Sequence, residues 1–117
     1  LSARLAAAGA DADVVVVDLS PALTDAAHTA ALAVAEPLLV VARCDAAGLP
    51  NVAETVALAQ ESGTPYRVVP SFKGPTGLSR EAEAFLRGRY AEAVTAAVVP
   101  VDARAAEAPG RGAPVLD

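Results

Sequence analysis

The sequence has 117 residues and a net charge of −5, which suits one domain and argues against a general nucleic-acid coat, though not against a local basic patch. Hydrophobic residues make up 54% and aromatic residues only 3%, so the core must be built from Val, Leu and Ala. The single cysteine, Cys44, excludes an internal disulfide and fits a reducing compartment, and no apolar run approaches the about 20 residues that a membrane span needs.

Short apolar runs alternate with helical patterns along the chain. The predicted elements are, in order, the end of a helix over 2–9, a strand over 13–18, a helix over 24–35, a strand over 38–42, a helix over 49–62, a strand over 66–69, a helix capped by Ser79, a strand over 94–99 and one helical turn over 103–107. The first residues, LSARLAAAGADAD, lack a starting Met and a signal-peptide layout, which predicts a piece of a longer chain.

Three features support the helices. Thr24 or Asp25 is a suitable N-cap for the second helix, and Gly63 ends the third. Apolar residues recur at helical spacing in the third and fourth helices. The predicted buried face of the fourth helix consists of Leu78, Ala82, Phe85, Leu86 and Tyr90.

The order of these elements predicts the α/β class. Strands that alternate with helices form βαβ units, with a parallel sheet and flanking helices. Continuous apolar runs such as VVVV and LLVVA are typical of strands buried on both faces of such a sheet.

Asp18 is the first candidate functional residue. It ends the predicted strand 13–18, and ligands of open α/β sheets bind at the carboxyl ends of the strands. An apolar strand that ends in Asp is the pattern of a Walker B carboxylate, which holds the Mg²⁺ shell beside nucleotide phosphates. The alternative is that Asp18 only caps the turn that comes after it, in which Ser20 and Pro21 lie.

The sequence has no phosphate-binding loop to accompany Asp18. The motif G-x-x-x-x-G-K-[ST] needs a lysine before Ser or Thr, and the only lysine, Lys73, precedes Gly74. The sequence therefore predicts that this chain alone does not hold ATP tightly. His28 is interpreted as an exposed or merely packed histidine and Cys44 as a small packed thiol.

The second half of the sequence supports a family resemblance. Residues 76–117 read TGLSREAEAFLRGRYAEAVTAAVVPVDARAAEAPGRGAPVLD, and the opening stretch DVVVVDLSPAL ends in Asp18 and Pro21. Both stretches resemble the C-terminal part of the ParA family of chromosome and plasmid partitioning ATPases. The most specific signal is the tail pattern R-x-x-E-A-P-x-x-G-x-P-V, from Arg104 to Val115.

The resemblance implies a fold, a reaction and partners. The fold would be a partial P-loop NTPase of the ParA/MinD type, with residues 1–117 as the C-terminal part of one nucleotide-binding domain whose phosphate loop lies upstream. The parent protein would hydrolyse ATP with Mg²⁺, form a homodimer in its ATP state, bind DNA without sequence preference and respond to a ParB-like centromere-binding protein. Its location would be cytoplasmic and nucleoid-associated.

The resemblance also implies residue roles. Asp18 would be the catalytic and Mg²⁺-binding carboxylate, Pro21 would belong to the segment that senses the γ-phosphate, and Pro100 and Val101 would lie against the adenine base. Arg104 would face DNA, with Arg80 as a second candidate. The alternatives are a strand-ending proline at Pro100, a solvated surface position for each arginine and, for Arg80, an ion pair with a Glu on its own helix.

The sequence departs from the family pattern at Ser20, Pro75 and Val101. The family often has Pro at the first position and Arg at the other two, so two potential DNA-facing charges are missing. Two other interpretations are kept: a truncated, non-catalytic ParA-like interaction module, and a MinD-like positioning ATPase. The tail pattern argues against the MinD-like interpretation.

Overall fold

The computed structural model describes residues 2–19, 26–112 and 114. Its regular elements are α1 (Ser2–Ala10), α2 (Ala26–Val34), β1 (Leu38–Arg43), α3 (Leu49–Glu61), β2 (Tyr66–Ser71), α4 (Gly77–Tyr90), a 3₁₀ turn (Ala91–Ala93) and α5 (Ala103–Arg111). The α/β class predicted from the sequence is confirmed at this coarse level. Within the described ranges, no helix has the length and apolar character required to span a bilayer.

The two strands form a parallel pair. Their register runs from Leu38 opposite Tyr66 to Arg43 opposite Ser71, and α3 provides the crossover between them. Both strands were predicted, and each extends further than expected, to Arg43 and Ser71. α3 ends as predicted, because Gly63 adopts a left-handed φ of 67° and Thr64 N–H then donates to the carbonyl of Ala59 at 2.9 Å.

The predicted strand over 94–99 is not continuous. Thr95 N–H donates to the carbonyl of Val68 and Val99 N–H to that of Pro70, each at 2.9 Å, so the segment follows β2 only at separate points. The even-numbered residues of β2 turn their backbone carbonyls toward this segment. Pro70 is one of them, and because proline has no N–H it cannot donate a hydrogen bond to the segment. The missing donor explains why the ladder is interrupted between Thr95 and Val99.

The core lies on one face of the sheet. It is formed by buried side chains from both strands, α3, α4 and the 94–101 segment: Val40, Ala42, Cys44, Val52, Val56, Val68, Ala82, Leu86 and Val94. On the opposite face of β1, Leu39 and Val41 are 59% and 65% exposed. The expectation that β1 is buried on both faces is therefore wrong, because none of the described elements packs over these two side chains.

α4 begins earlier than predicted and buries a narrower face. Its N-cap is Thr76, whose Oγ1 accepts from Ser79 N–H at 3.1 Å, so Ser79 is not the cap. Ala82 and Leu86 are buried and Tyr90 packs against the core, as predicted.

Two residues of the predicted α4 face do not join the core. Leu78 and Phe85 are exposed. Their side chains therefore contribute less to holding α4 on the sheet than the predicted five-residue face implied.

α2 is anchored at the far end of α3. Its buried residues include His28, Ala31 and Leu32, and Thr64 Oγ1 donates to the carbonyl of Leu32 at 3.1 Å. His28 is thus packed rather than exposed. The predicted N-caps Thr24 and Asp25 lie outside the described residues.

Toward the two ends of the chain, the structure differs from the remaining predicted segments. α5 is longer than the single turn predicted, with Asp102 as its N-cap and Gly112 in the left-handed C-cap conformation. Residues 13–18 form no strand, and Val14 and Val16 are largely exposed. The predicted buried strand is wrong here because no described strand lies beside these residues to complete a ladder.

We expect Leu86→Ala to lower the free energy of unfolding by about 2–5 kcal/mol, because it removes a fully buried side chain from the α4–sheet contact. The matched control on the same helix is Leu78→Ala, whose exposed side chain predicts a change within about 0.5 kcal/mol. Urea titration followed by circular dichroism measures both. Equal losses in the two variants would contradict the described burial.

Candidate functional site

The carboxyl ends of the parallel segments lie along one edge of the sheet, called here the carboxyl edge. β1 ends at Arg43, β2 at Ser71, and the 94–101 segment reaches Pro100, which bridges to Lys73 in a parallel sense. Open α/β sheets bind ligands at this edge, because strand ends and helix N-termini converge there.

Two loops at this edge are bonded to each other. Lys73 N–H donates to the carbonyl of Val99 at 3.1 Å, and Val101 N–H donates to the carbonyl of Lys73 at 2.9 Å. Gly74 N–H donates to Ser79 Oγ at 2.9 Å, which ties the first loop to α4. Pro100 and Val101, the residues predicted to face a base, are therefore held in place at the carboxyl edge.

A three-residue charge network fixes α4 behind these loops. Lys73 Nζ contacts Glu83 Oε1 at 2.7 Å, and Arg87 Nε donates to Glu83 Oε2 at 3.0 Å. Arg87 also donates to the carbonyl of Thr95 at 3.1 Å, so the network reaches the 94–101 segment. Hydrogen bonds from Lys73 and Arg87 lower the pKa of Glu83 below its ordinary value of 4.5.

The predicted DNA-facing residue Arg104 lies in the first turn of α5 and is paired locally. Its guanidinium contacts the Asp102 carboxylate, with the shortest contact, from Nη2 to Oδ2, at 2.6 Å, and Asp102 Oδ1 also accepts the Arg104 backbone N–H. These hydrogen bonds lower the pKa of Asp102 and raise that of Arg104. The Arg104 side chain is 70% exposed, so it can reach a ligand only by sharing or leaving this pair.

Arg80 lies on the first turn of α4 and is exposed. Its Nη1 donates to the carbonyl of Pro75 at 3.1 Å, so it braces the loop before the helix. Arg80 is thus bonded to a backbone carbonyl rather than to the Glu on its own helix that was the alternative interpretation. Arg80 therefore lies at the start of α4, and its contact with Pro75 stabilises the loop there.

Asp18 is not brought to the carboxyl edge. It follows the exposed valines and is itself exposed, and none of the described contacts joins it to the loops there. Pro21 and Ser20 lie outside the described residues. The structure therefore places Pro100 and Val101 at the carboxyl edge and Arg104 on the helix that follows them, but does not place Asp18 with them.

Sequence reasoning missed a second cluster at the carboxyl edge. The Arg43 guanidinium lies 4.3 Å from the centroid of the half-exposed Phe72 ring and also contacts Asp45 Oδ2 at 2.9 Å. Asp45 Oδ1 accepts Gly48 N–H at 2.7 Å, and its pKa is lowered first by the Arg43 hydrogen bond. A Cβ at Gly48 would lie 2.5 Å from the Arg43 Cβ, which explains the glycine.

The backbone of Phe72 adopts a left-handed φ of 55°, which is uncommon for a bulky residue. Residues 73–75, which follow Phe72, have the composition of a turn. No sequence signal, however, predicts the left-handed backbone of Phe72 or the stacking of Arg43 on its ring. Cys44 is buried beside this cluster, as predicted, and burial raises the pKa of its thiol.

The described residues do not by themselves fit Mg²⁺. Among them, no three His, Cys, Asp or Glu side chains lie close enough together to hold a metal ion. The two aspartates at the carboxyl edge, Asp45 and Asp102, are each committed to an arginine. A hard cation would need carboxylate oxygens free of such pairing, so no catalytic step through Mg²⁺ is derived from these residues.

A separate groove lies away from the carboxyl edge. Its volume is about 340 Å³, and its lining includes Tyr66 at the start of β2, Gln60 on α3 and Tyr90 at the end of α4. Arg89 stacks over Tyr90 with its guanidinium 5.3 Å from the ring centroid. None of the predicted site residues lines this groove, so it offers no support for the predicted chemistry.

Comparison with known proteins gives no family assignment: no family model matches the chain, and no curated protein matches it significantly.

We expect acid to weaken the α4 anchor. Because hydrogen bonds lower the folded-state pKa of Glu83, its contribution to stability is present above the unfolded value, near 4.5, and is lost as pH falls through the folded pKa. In urea titrations from pH 7 to pH 3, Glu83→Gln should lose part of the acid-dependent fall in stability seen in the unchanged protein. Glu81→Gln, an exposed change on the same helix, should retain that fall. An unchanged acid profile in Glu83→Gln would contradict the described network.

Proposed function

We propose that the chain is the C-terminal part of a ParA-type partitioning ATPase and that its carboxyl edge forms the base-facing side of the nucleotide site. The observation that carries this proposal is the pair of hydrogen bonds that joins Lys73 to Val99 and Val101. They hold the predicted adenine loop at the edge where such sheets bind ligands.

The surface of this loop suits a nucleobase. Val99 and Val101 are half-exposed, and the backbone N–H groups of Lys73 and Val101 are already used between the loops. A base would therefore be held mainly by apolar contact with the valines and Pro100, while carbonyl oxygens keep lone pairs free to accept from an exocyclic amine. The fixed loops reduce the ordering cost of binding.

Binding of the phosphates must come from elsewhere. Lys73, the only lysine, is bonded to Glu83, and no phosphate-binding loop occurs in the sequence. The proposed ATP hydrolysis with Mg²⁺ therefore belongs to the parent protein, and this chain alone should bind ATP no tighter than millimolar.

The proposed DNA contact uses the outer face of α5. Arg104 and Arg111 lie on that helix with largely exposed side chains, each paired with an acidic residue of the same segment. Such arginines can bind phosphates without sequence preference, with affinity that falls as salt rises. With a net charge of −5, the binding should be weak and confined to low ionic strength.

A second candidate function is a non-catalytic interaction module. The exposed Leu39 and Val41 on β1 favour it, because an uncovered apolar sheet face suits a protein partner. In this case neither ATP nor Mg²⁺ would take part.

Reading the gene upstream of Leu1 separates the two. The ATPase proposal predicts an open frame that runs back to a K-G-G-x-x-K-[ST] loop directly after a strand. A stop codon close upstream, together with a start site near Leu1, would reject it in favour of the interaction module.

For DNA binding, we expect Arg104→Glu to weaken the gel shift of a random-sequence duplex at low salt. Arg67→Glu is the charge-matched control, because Arg67 lies exposed near the start of β2, at the opposite edge of the sheet. Equal effects of the two variants would reject a specific role for Arg104.

A further inference from the structure

α4 carries an apolar stripe that the fold leaves exposed. Leu78 and Phe85 are 59% and 54% exposed, although the same helix buries Ala82 and Leu86 against the sheet. Leu78 and Phe85 lie seven residues apart, about two helical turns, so their side chains emerge on the same side of α4. Two large apolar side chains aligned in this way form a surface that a second helix can cover.

Two charged residues flank Phe85 along this stripe. Glu81 lies four residues before Phe85 and Arg89 lies four residues after it, so each is about one turn from the ring, and both are exposed. The other charged residues of α4 have partners within the chain, namely Arg80, Glu83 and Arg87. Among the described residues, Glu81 and Arg89 form no ion pair. Opposite charges are therefore available at equal spacing on the two sides of Phe85.

A glycine inside α4 has no explanation in the fold around it. Gly88 is exposed in the interior of the helix, where glycine lowers helix stability. A Cβ at this position would meet nothing within 4 Å, so no contact within the described chain requires a glycine. Gly88 follows Phe85 by three residues and lies beside the stripe. The missing side chain allows a second backbone to approach closely at this point.

We propose that this stripe is an interface between two copies of the chain, with their α4 helices packed antiparallel around Phe85. The two-fold axis passes beside Phe85, so that the two rings lie against each other. The same rotation places Glu81 of each copy beside Arg89 of the other. The interface is therefore isologous, and the ion pair occurs twice.

The charge pattern selects both the orientation and the partner. Parallel packing would place Glu81 beside Glu81 and Arg89 beside Arg89, and such like-charge contacts are repulsive. Antiparallel packing about Phe85 brings each charge to its opposite. An unrelated protein needs no symmetry in the surface that it binds, whereas a second copy requires opposite charges at equal distances from the axis, and α4 has them.

The contact is small, so the association is weak. α4 has 14 residues, and one face of a helix of this length buries less than the about 800 Å² per partner that is typical of stable complexes. The net charge of −5 also makes two copies repel. We therefore expect a Kd of about 100 µM, so that the chain at about 10 µM is mainly monomeric and stability measurements there report the monomer.

This contact is independent of the proposed nucleotide site. Phe85 and Arg89 lie in the second half of α4, whereas the helix begins at the carboxyl edge. The contact thus differs from the ATP-state homodimer that the family resemblance implies, and it requires no nucleotide.

Sedimentation equilibrium of the full chain without nucleotide, from about 10 µM to about 1 mM, tests the proposal. The average mass should rise from that of a monomer toward that of a dimer. Arg89→Glu should lower the association constant at least about tenfold, because it places two glutamates against each other at both ends of the contact. Adding Glu81→Arg to Arg89→Glu should restore the constant to within about threefold, because the pairs form again with their charges exchanged.

Arg4→Glu is the control for net charge. It makes the same change in charge at an exposed position of α1 and should leave the association constant unchanged. A chain that stays monomeric at about 1 mM would overturn the proposal, as would a double variant that keeps its helical circular dichroism but does not recover dimerisation.

A second pair of variants separates α4 from the uncovered face of β1. Phe85→Ala removes a ring from the centre of the contact and should lower the association constant at least about tenfold. Leu39→Ala, which is similarly exposed on β1, should not change it. Because both side chains are exposed, neither change should disturb the folded chain. Loss of the dimer in Leu39→Ala, with the dimer retained in Phe85→Ala, would assign self-association to β1 and overturn the proposal.

Discussion

The pairing of Val68 with its neighbours on three sides is the contact on which the rest of the structure depends. Its side chain is fully buried among residues of α3, α4 and β1, its register partner is Val40, and its carbonyl accepts from Thr95. Because one residue joins the core, the β1 ladder and the 94–101 segment, the positions of both strand ends and of that segment follow from it. The loops of the carboxyl edge are fixed relative to one another for this reason.

Charged groups at the carboxyl edge are arranged as local pairs. Arg43 contacts Asp45, Arg104 contacts Asp102, and Lys73 shares Glu83 with Arg87. Each pair holds a loop or a helix end, so the edge is well ordered before any ligand arrives. The same pairing offsets the positive charge that would attract phosphates.

Local sequence patterns predicted the elements well and their surroundings poorly. The strands at 38–42 and 66–69 and the helix ended by Gly63 were recovered, because apolar runs and turn residues act over a few positions. The Val14–Val17 segment was misjudged because a strand also requires a neighbour, which no local pattern specifies. Likewise Phe85 has the right spacing for the core but lies beyond the covered face. The effect of Pro70 on the predicted 94–99 strand becomes clear only once the structure shows that Pro70 faces that segment.

The most direct measurement is an NMR titration of ¹⁵N-labelled chain with Mg²⁺ and ATP. If the carboxyl edge faces a base, amide signals of Lys73, Gly74, Val101 and Asp102 should shift together at millimolar nucleotide. Signals near the groove of Tyr66 and Tyr90 should remain unchanged. Shifts confined to that groove would contradict a nucleotide site at this edge.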